Sequence, residues 1–377
     1  MEKWMQQIGR AAGLGLLSLI LSGCGSMQRN TPEAQIGLDS VPKFQVTRVF
    51  YATNRKKIAT AVGTPSPTIP GNTVSFSASR GVTSYGVAEV SIPREHEMGV
   101  VERPSLLRFE IREDSTKHIV LRDTVPLTVD QFYPQVALRV QALGENSAFV
   151  FVHGYNVSFE DAALRTAQIS YDLGFKGAPV FYSWPSAGGL SAYTADEDSA
   201  AWSQPDLTQF LREFAARSQA DKIYLIGHSM GTRVLTRAYL AALEAEPALK
   251  TRFKEIILAA PDIDADVFRR ELAPALLTSG ASVTLYASSQ DKALSASRAV
   301  HGDNRAGDTY PKILIQLGVE SIDASTVDTS FVGHSYYGKK TIISDMFYMF
   351  GSGLRAWQRS GLLATTTADG TYWKFKP

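Results

Sequence analysis

The chain holds one cysteine in 377 residues, Cys24, which excludes an intramolecular disulfide framework. It has no charge excess: 38 Lys and Arg against 37 Asp and Glu leave a formal net charge of +1, so nothing in the composition calls for nucleic acid or a polyanionic substrate. No apolar run reaches the length that crosses a bilayer as a helix, and there is no internal repeat or low-complexity block. What is present is core material. With 44% hydrophobic and 20% charged residues, a chain of this length specifies a large buried core rather than disorder.

The N-terminus reads as a targeting segment outside the fold. Lys3 and Arg10 precede "AAGLGLLSLILS", which runs into "LSGC". That sequence resembles the lipobox of bacterial lipoproteins, in which the signal is cleaved before the cysteine and the cysteine carries lipid. The resemblance implies residues 1–23 as signal peptide, Cys24 as the lipidation site, and a protein of the bacterial cell envelope. Gly25 rather than an acidic residue after Cys24 points, by the same resemblance, to the outer membrane facing the periplasm. An ordinary secretory signal with a chance cysteine is the alternative. Residues 24–45 are polar and unpatterned and read as a flexible tether spanning roughly 25 Å, leaving 46–377 as one domain.

From Arg48 onward strands and helices alternate. "TRVFYATNR", "YGVAEVSIP" and "HIVLRDTV" carry alternating or β-branched apolar residues and predict opening strands; "QFYPQVALRVQAL" is interrupted by Pro134 and then becomes helix-like. "SAFVFVHG", "APVFYSWP", "KIYLIGHS", "KEIILAAPD" and "ASVTLYASS" are nearly continuous apolar runs, as expected of parallel strands covered on both faces. Between them, "SFEDAALRTAQISYDLG" opens with Ser158 and Asp161 at capping-box spacing and ends at Gly174. "MGTRVLTRAYLAAL" aligns Val234, Leu235, Ala238 and Ala242 on one face. The pattern predicts an α/β fold: a mostly parallel central sheet with helices on both faces.

Within that pattern, Gly227-His228-Ser229-Met230-Gly231 follows an apolar strand and precedes an amphipathic helix, the setting of a nucleophile elbow. The tight turn exposes the serine hydroxyl and crowds the backbone on either side, hence Gly227 and Gly231. A structural turn is the bland alternative. A serine needs a base, and the fold orders its residues Ser, acid, His. Two histidines lie downstream. His334, in the glycine-flanked "FVGHSYYG" after the plausible last strand "KILIQLGVESIDAS", is preferred to His301, a loop histidine that binds nothing. Asp291 in "YASSQDKAL" is preferred as acid; Asp262 in "AAPDIDADVF" remains the alternative. His228 diverges from its neighbour Ser229. "FVFVHGYN" places a strand-to-helix loop where the fold puts oxyanion donors, which assigns the N–H groups of Tyr155 and Met230. Asp262, Asp264 and Asp266 begin like a calcium loop, but Val267 stands where glycine is required, so no metal is expected, nor any cofactor.

"VFYATNR", "FVHGYNVSFEDAALR", "VFYSWPS", "LIGHSMGTRVL", "AAPDID" and "GHSYY" together resemble the α/β-hydrolase family known as domain of unknown function 900, from roughly Arg48 to Met346. The resemblance implies the α/β-hydrolase fold, esterase- or lipase-like activity and a Ser229–Asp291–His334 triad. The expected activity is hydrolysis of small-molecule carboxylic esters through an acyl-enzyme. Thioesterase or peptidase chemistry would use the same residues, and a lipoprotein scaffold on a retired hydrolase fold is the non-catalytic alternative. No protein partner is indicated. "PSAGGLSAYTADEDSAAWSQPDL" reads either as a short lid or as an ordinary connection, and the helical spacing of Ile342, Ile343, Met346 and Phe350 as core packing.

Overall fold

A computed structural model describes residues 42–58, 74–188, 192–327 and 339–376. The chain divides into two units, Met1–Pro42 and Lys43–Pro377; Cys24 in the first, and His334 in the second, lie outside the described residues.

The second unit is built on an eleven-stranded sheet in the order β10-β11-β9-β8-β7-β6-β4-β5-β1-β2-β3. Its strands are β1 (Phe44–Ile58), β2 (Ser75–Pro93), β3 (Val120–Leu127), β4 (Ser147–Val152), β5 (Ala178–Ser183), β6 (Lys222–His228), β7 (Phe253–Ala259), β8 (Ser282–Ala287), β9 (Val319–Asp323), β10 (Leu362–Thr367) and β11 (Gly370–Phe375). From β1 through β11 in spatial order every pairing is parallel; the β1-β2-β3 meander and the β10-β11 hairpin are antiparallel. β1 starts inside the stretch expected as tether.

The helices are α1 (Val129–Gln141), α2 (Phe159–Asp172), α3 (Tyr193–Arg217), α4 (Gly231–Ala245), α5 (Ala265–Val267), α6 (Ala273–Leu277), α7 (Lys292–His301) and α8 (Lys339–Ser352). Alternate residues of one strand feed two cores. Ala148, Val150 and Val152 of β4 join Phe210, Phe214, Val234 and Leu235 of α3 and α4 on one face, while Phe149 and Phe151 join Ala163, Ala167, Ile343 and Met346 of α2 and α8 on the other. This two-sided burial is why the parallel strands read as unbroken apolar runs. Each large side chain so buried contributes roughly 1.5–3 kcal/mol.

Two readings need correction, and a third, left open between lid and connection, gains definition. Pro134 does not interrupt α1 but sits inside it, with Phe132, Tyr133, Val136 and Val140 buried on both sides of it; packing outweighs one lost backbone bond. The candidate lid is helical from Tyr193 onward, because Tyr193, Asp196, Ala200, Ser203 and Leu207 repeat at helical spacing on the buried face, and Pro205 is likewise accommodated within α3. His301 is the last residue of α7, with Nδ1 2.9 Å from the Ser297 carbonyl and Nε2 2.9 Å from Glu197; it is a bonded helix terminus, not a partnerless loop residue. α2 matches its sequence signals: Ser158 accepts from the Asp161 N–H at 3.0 Å, and Gly174 follows the helix at φ +54°.

Candidate active site

β6 runs straight into Ser229, whose φ of +49° lies in the left-handed region that non-glycine residues adopt only under constraint. Backbone bonds impose the constraint. The Ser229 N–H donates to the Ala259 carbonyl at 2.9 Å, and the Ser229 carbonyl accepts from the N–H groups of Thr232 at 3.0 Å and Asp262 at 3.3 Å, and from the Thr232 hydroxyl at 2.6 Å. α4 begins two residues later with no side-chain cap at Met230; the Thr232 and Arg233 N–H groups are taken by the Ser229 and Met230 carbonyls, and the positive end of the helix dipole faces the turn.

The β4–α2 loop is pressed against this turn. A Cβ on Gly231 would lie 2.2 Å from the His153 carbonyl oxygen and 2.6 Å from that of Val152, and one on Gly154 would lie 2.8 Å from Ser229 Cβ. The backbone carrying the Tyr155 N–H is thereby brought beside Ser229, next to Met230. His153 anchors the loop from within the core: its ring stacks on Trp184 at 5.1 Å, Nε2 lies 3.0 Å from Ser183 Oγ, and the Trp184 indole N–H donates to its carbonyl at 2.7 Å. Burial, then the nearby Arg55 charge, push its pKa well below the usual histidine value, so it is a neutral structural ring. Burial and then the Arg165 charge push the His228 pKa down to about 3, so its buried ring resists taking up a proton.

Two acids stand at the carboxyl ends of adjacent strands. Asp291 follows β8, is buried, and caps α7 by accepting from the Leu294 N–H at 3.0 Å. Asp262 follows β7 at 1% exposure and is heavily committed: it accepts from the Tyr193 hydroxyl, from Ser297 Oγ at 2.6 Å and from Arg233 Nη2 at 3.1 Å, with Arg305 Nε 3.6 Å away. Asp264 is an N-cap, accepting from the Asp266 and Val267 N–H groups. Among the described residues no cluster of His, Cys, Asp or Glu has metal-binding geometry. The chain approaches residues 328–338, which include His334, from beside Asp291's own loop: Ala324 N–H donates to the Ala287 carbonyl at 2.8 Å and Ser289 N–H to Ser325 Oγ at 3.0 Å.

Sequence reading missed the clamps behind the site. Arg55, 2% exposed, donates Nη2 to the Val157 carbonyl at 2.6 Å and Nε to Ser183 Oγ at 2.8 Å, tying the β4–α2 loop to β5. Burial lowers its pKa to about 10, against the raising influence of Asp196 and Asp161. Asp196, fully buried, accepts from Ser186 Oγ at 2.5 Å, the Ala187 N–H at 2.6 Å and the Asn156 N–H at 3.4 Å. Tyr193 packs against Tyr155 with centroids 5.4 Å apart. Helical spacing from Tyr193 selects Asp196 and Glu197 together over Asp198; nothing local marks Arg55.

The family described as "Alpha/beta hydrolase of unknown function (DUF900)" matches residues 132–348, more than half of the chain. No curated protein matches. Among solved structures, a protein of Lactobacillus plantarum WCFS1 described as a candidate cell surface hydrolase is similar at a TM-score of 0.33 and 13% identity, over 54% of this chain and 90% of that one, a likeness too distant to bear on the site.

Proposed function

Because this chain belongs to the α/β-hydrolase family DUF900, we propose that it is a serine hydrolase cleaving carboxylic esters through an acyl-enzyme. The observation that carries the reading is the strained Ser229 turn between β6 and α4, held against the β4–α2 loop by the close packing of Gly231 and Gly154. In the proposed reaction Ser229 Oγ forms a bond to the ester carbonyl carbon while His334 takes its proton, and Asp291 orients and stabilises the imidazolium. The N–H groups of Tyr155 and Met230 receive the oxyanion, each contributing ~3 kcal/mol of barrier reduction. Collapse breaks the bond to the alcohol, which leaves with the proton from His334. Water then attacks the acyl-enzyme and gives its proton to His334; collapse breaks the bond to Ser229 Oγ, which takes that proton from His334 as the acid is released.

The partners of Asp262 support Asp291 as the acid: a carboxylate already accepting from three side chains and flanked by two arginines is engaged in holding α3, α4 and α7 together. Ser229→Ala is expected to lose on the order of 10⁴-fold or more of activity on a short p-nitrophenyl ester, and to abolish labelling by a fluorophosphonate. Wild-type turnover by that variant would overturn the proposal. Attachment of the protein to the bacterial envelope through lipid on Cys24 is proposed alongside; Cys24→Ala is expected to move the chain from the membrane to the soluble fraction.

A further inference from the structure

β1 lies before residues 132–348, the span of the family match, yet it carries three consecutive buried polar residues, Thr53, Asn54 and Arg55. It runs parallel to β5, β5 to β4 and β4 to β6, with Ala52, Tyr182, Val152 and Gly227 in one row of the register. Arg55 therefore stands at the same edge of the sheet as Ser229. A guanidinium sealed from water is costly to hold unless its donors find acceptors. Those of Arg55 go to carbonyls and a hydroxyl rather than to a carboxylate: the carbonyls of Val157 at 2.6 Å, Ser186 at 3.3 Å and Ser77 at 3.4 Å, and Ser183 Oγ at 2.8 Å. The β4–α2 loop is gripped by a second buried charge as well. Asp196 of α3 accepts from the Asn156 N–H at 3.4 Å, the Ala187 N–H at 2.6 Å and Ser186 Oγ at 2.5 Å, and Ser186 Oγ accepts from the Val157 N–H at 3.4 Å. Ser186 thus joins the two charges, its carbonyl on Arg55 and its hydroxyl on Asp196.

Together these groups fix the loop at both ends and in between: the His153 carbonyl by the Trp184 indole, the Asn156 N–H by Asp196 and the Val157 carbonyl by Arg55. They hold it in a bend that few residues adopt unaided, since Asn156 has a φ of +56°. Tyr155 lies inside the held span. We propose that Arg55 and Asp196 are a coupled pair of positioning residues that set the Tyr155 N–H for the transition state. The inference rests on the serine hydrolase reading and adds to it two residues buried behind the reacting atoms. A pair that only stabilised the fold would change the melt; a pair that positions an oxyanion donor changes kcat and leaves ground-state binding alone.

In the test, Arg55→Lys keeps the charge but not the planar fork, and Asp196→Asn keeps the shape but not the charge. Each is expected to lower kcat on p-nitrophenyl butyrate about 100-fold, with KM within a few-fold of wild type. Inhibition by an alkyl trifluoromethyl ketone, which forms an oxyanion adduct on the serine, should weaken by the same factor as kcat/KM. The double variant should fall only a few-fold below the less active single, because the loop is already released. The final extent of fluorophosphonate labelling counts the active chains, so unfolded protein is not read as slow protein. Variants that melt lower yet keep kcat and inhibitor affinity, or losses that multiply in the double variant, overturn the pair and leave the hydrolase reading intact. Should either variant fail to fold, Ser186→Ala decides by the same measurements: it removes only the hydroxyl shared by Asp196 and the Val157 N–H, and an unchanged kcat overturns the pair. A wild-type protein that neither labels nor turns over the ester overturns the hydrolase reading and the pair with it.

Discussion

Gly231→Ala sets two effects of known size against each other. Alanine at the first position of α4 would stabilise that helix by about 1 kcal/mol if propensity alone acted. Its Cβ, however, would stand 2.2 Å from the His153 carbonyl oxygen and 2.6 Å from the Val152 oxygen, both main-chain atoms next to a strand end that cannot rotate away. Restoring ordinary contact requires the turn and the β4–α2 loop to separate by about 1 Å, and overpacking of that kind costs roughly 1–3 kcal/mol. The clash offsets the gain in propensity and at the upper end exceeds it, for a net loss of up to about 2 kcal/mol, or up to roughly 4 °C in Tm for a domain of this size. The functional loss is larger, because the displacement pulls the Tyr155 N–H away from Ser229, and misplacement by 1 Å costs about 100-fold. Gly227→Ala is the control. Its Cβ would meet Leu235 Cδ2 at 3.0 Å, Thr232 Cγ2 at 3.1 Å and Thr232 Cα at 3.2 Å, a milder crowding that a shift of a few tenths of an ångström relieves. The assay is the rate of fluorophosphonate labelling beside a thermal melt. Gly231→Ala should label about 100-fold more slowly, with Gly227→Ala within a few-fold of wild type. A Gly231→Ala protein that melts and labels like wild type would refute the argument that backbone contact sets this site.

The two acids separate by double readout. Asp291→Asn keeps a residue able to cap α7 and should leave Tm nearly unchanged while kcat falls on the order of 10⁴-fold; Asp262→Asn leaves Arg233 and Arg305 without their shared carboxylate and should destabilise by about 3 kcal/mol with kcat less affected. The reverse pattern would transfer the role of acid to Asp262. His96 predicts a pH dependence. Burial opposes its charge, but hydrogen bonds to Asp172 and Glu102 prevail and raise its pKa to about 9, so the folded state holds a proton that the unfolded chain releases near 6.5. The stability it contributes is complete below about pH 6.5 and is lost as pH rises through 9. Melts between those values should show Tm falling in wild type and a flatter profile in His96→Asn; parallel profiles would refute the charged clamp.

The order of strands and helices was legible because two-sided burial writes itself into the sequence as uninterrupted apolar runs, and capping leaves local marks such as Ser158 with Asp161. The turn at Ser229 was legible for the same reason, being a strand, a tight turn and a helix within 15 residues. Pro134 misled because propensity describes a backbone in isolation, whereas α1 is held by Phe132, Tyr133 and Val136 against the sheet. The β10–β11 hairpin went unread although the residues between its strands lead into Gly370, whose φ of +129° the tight turn needs; its strands lie at the sheet edge, half-exposed, and lack the dense apolar run that marked the others.

What no local pattern reveals is which polar residues are drawn into the support of the site. Arg55 reaches Val157 across 102 positions and Tyr193 reaches Asp262 across 69, and neither pairing has a sequence signature, since it exists only once the sheet is assembled. This explains why Asp262 and Asp291 look alike on paper, each an aspartate just past an apolar strand. Their difference is made by remote partners. Tyr193, Ser297, Arg233 and Arg305 converge on Asp262 from α3, α7, α4 and the loop after α7, giving that carboxylate a bracing task. The same convergence holds Tyr193 in place against Tyr155, so the acid set aside for catalysis still helps to fix the loop proposed to receive the oxyanion.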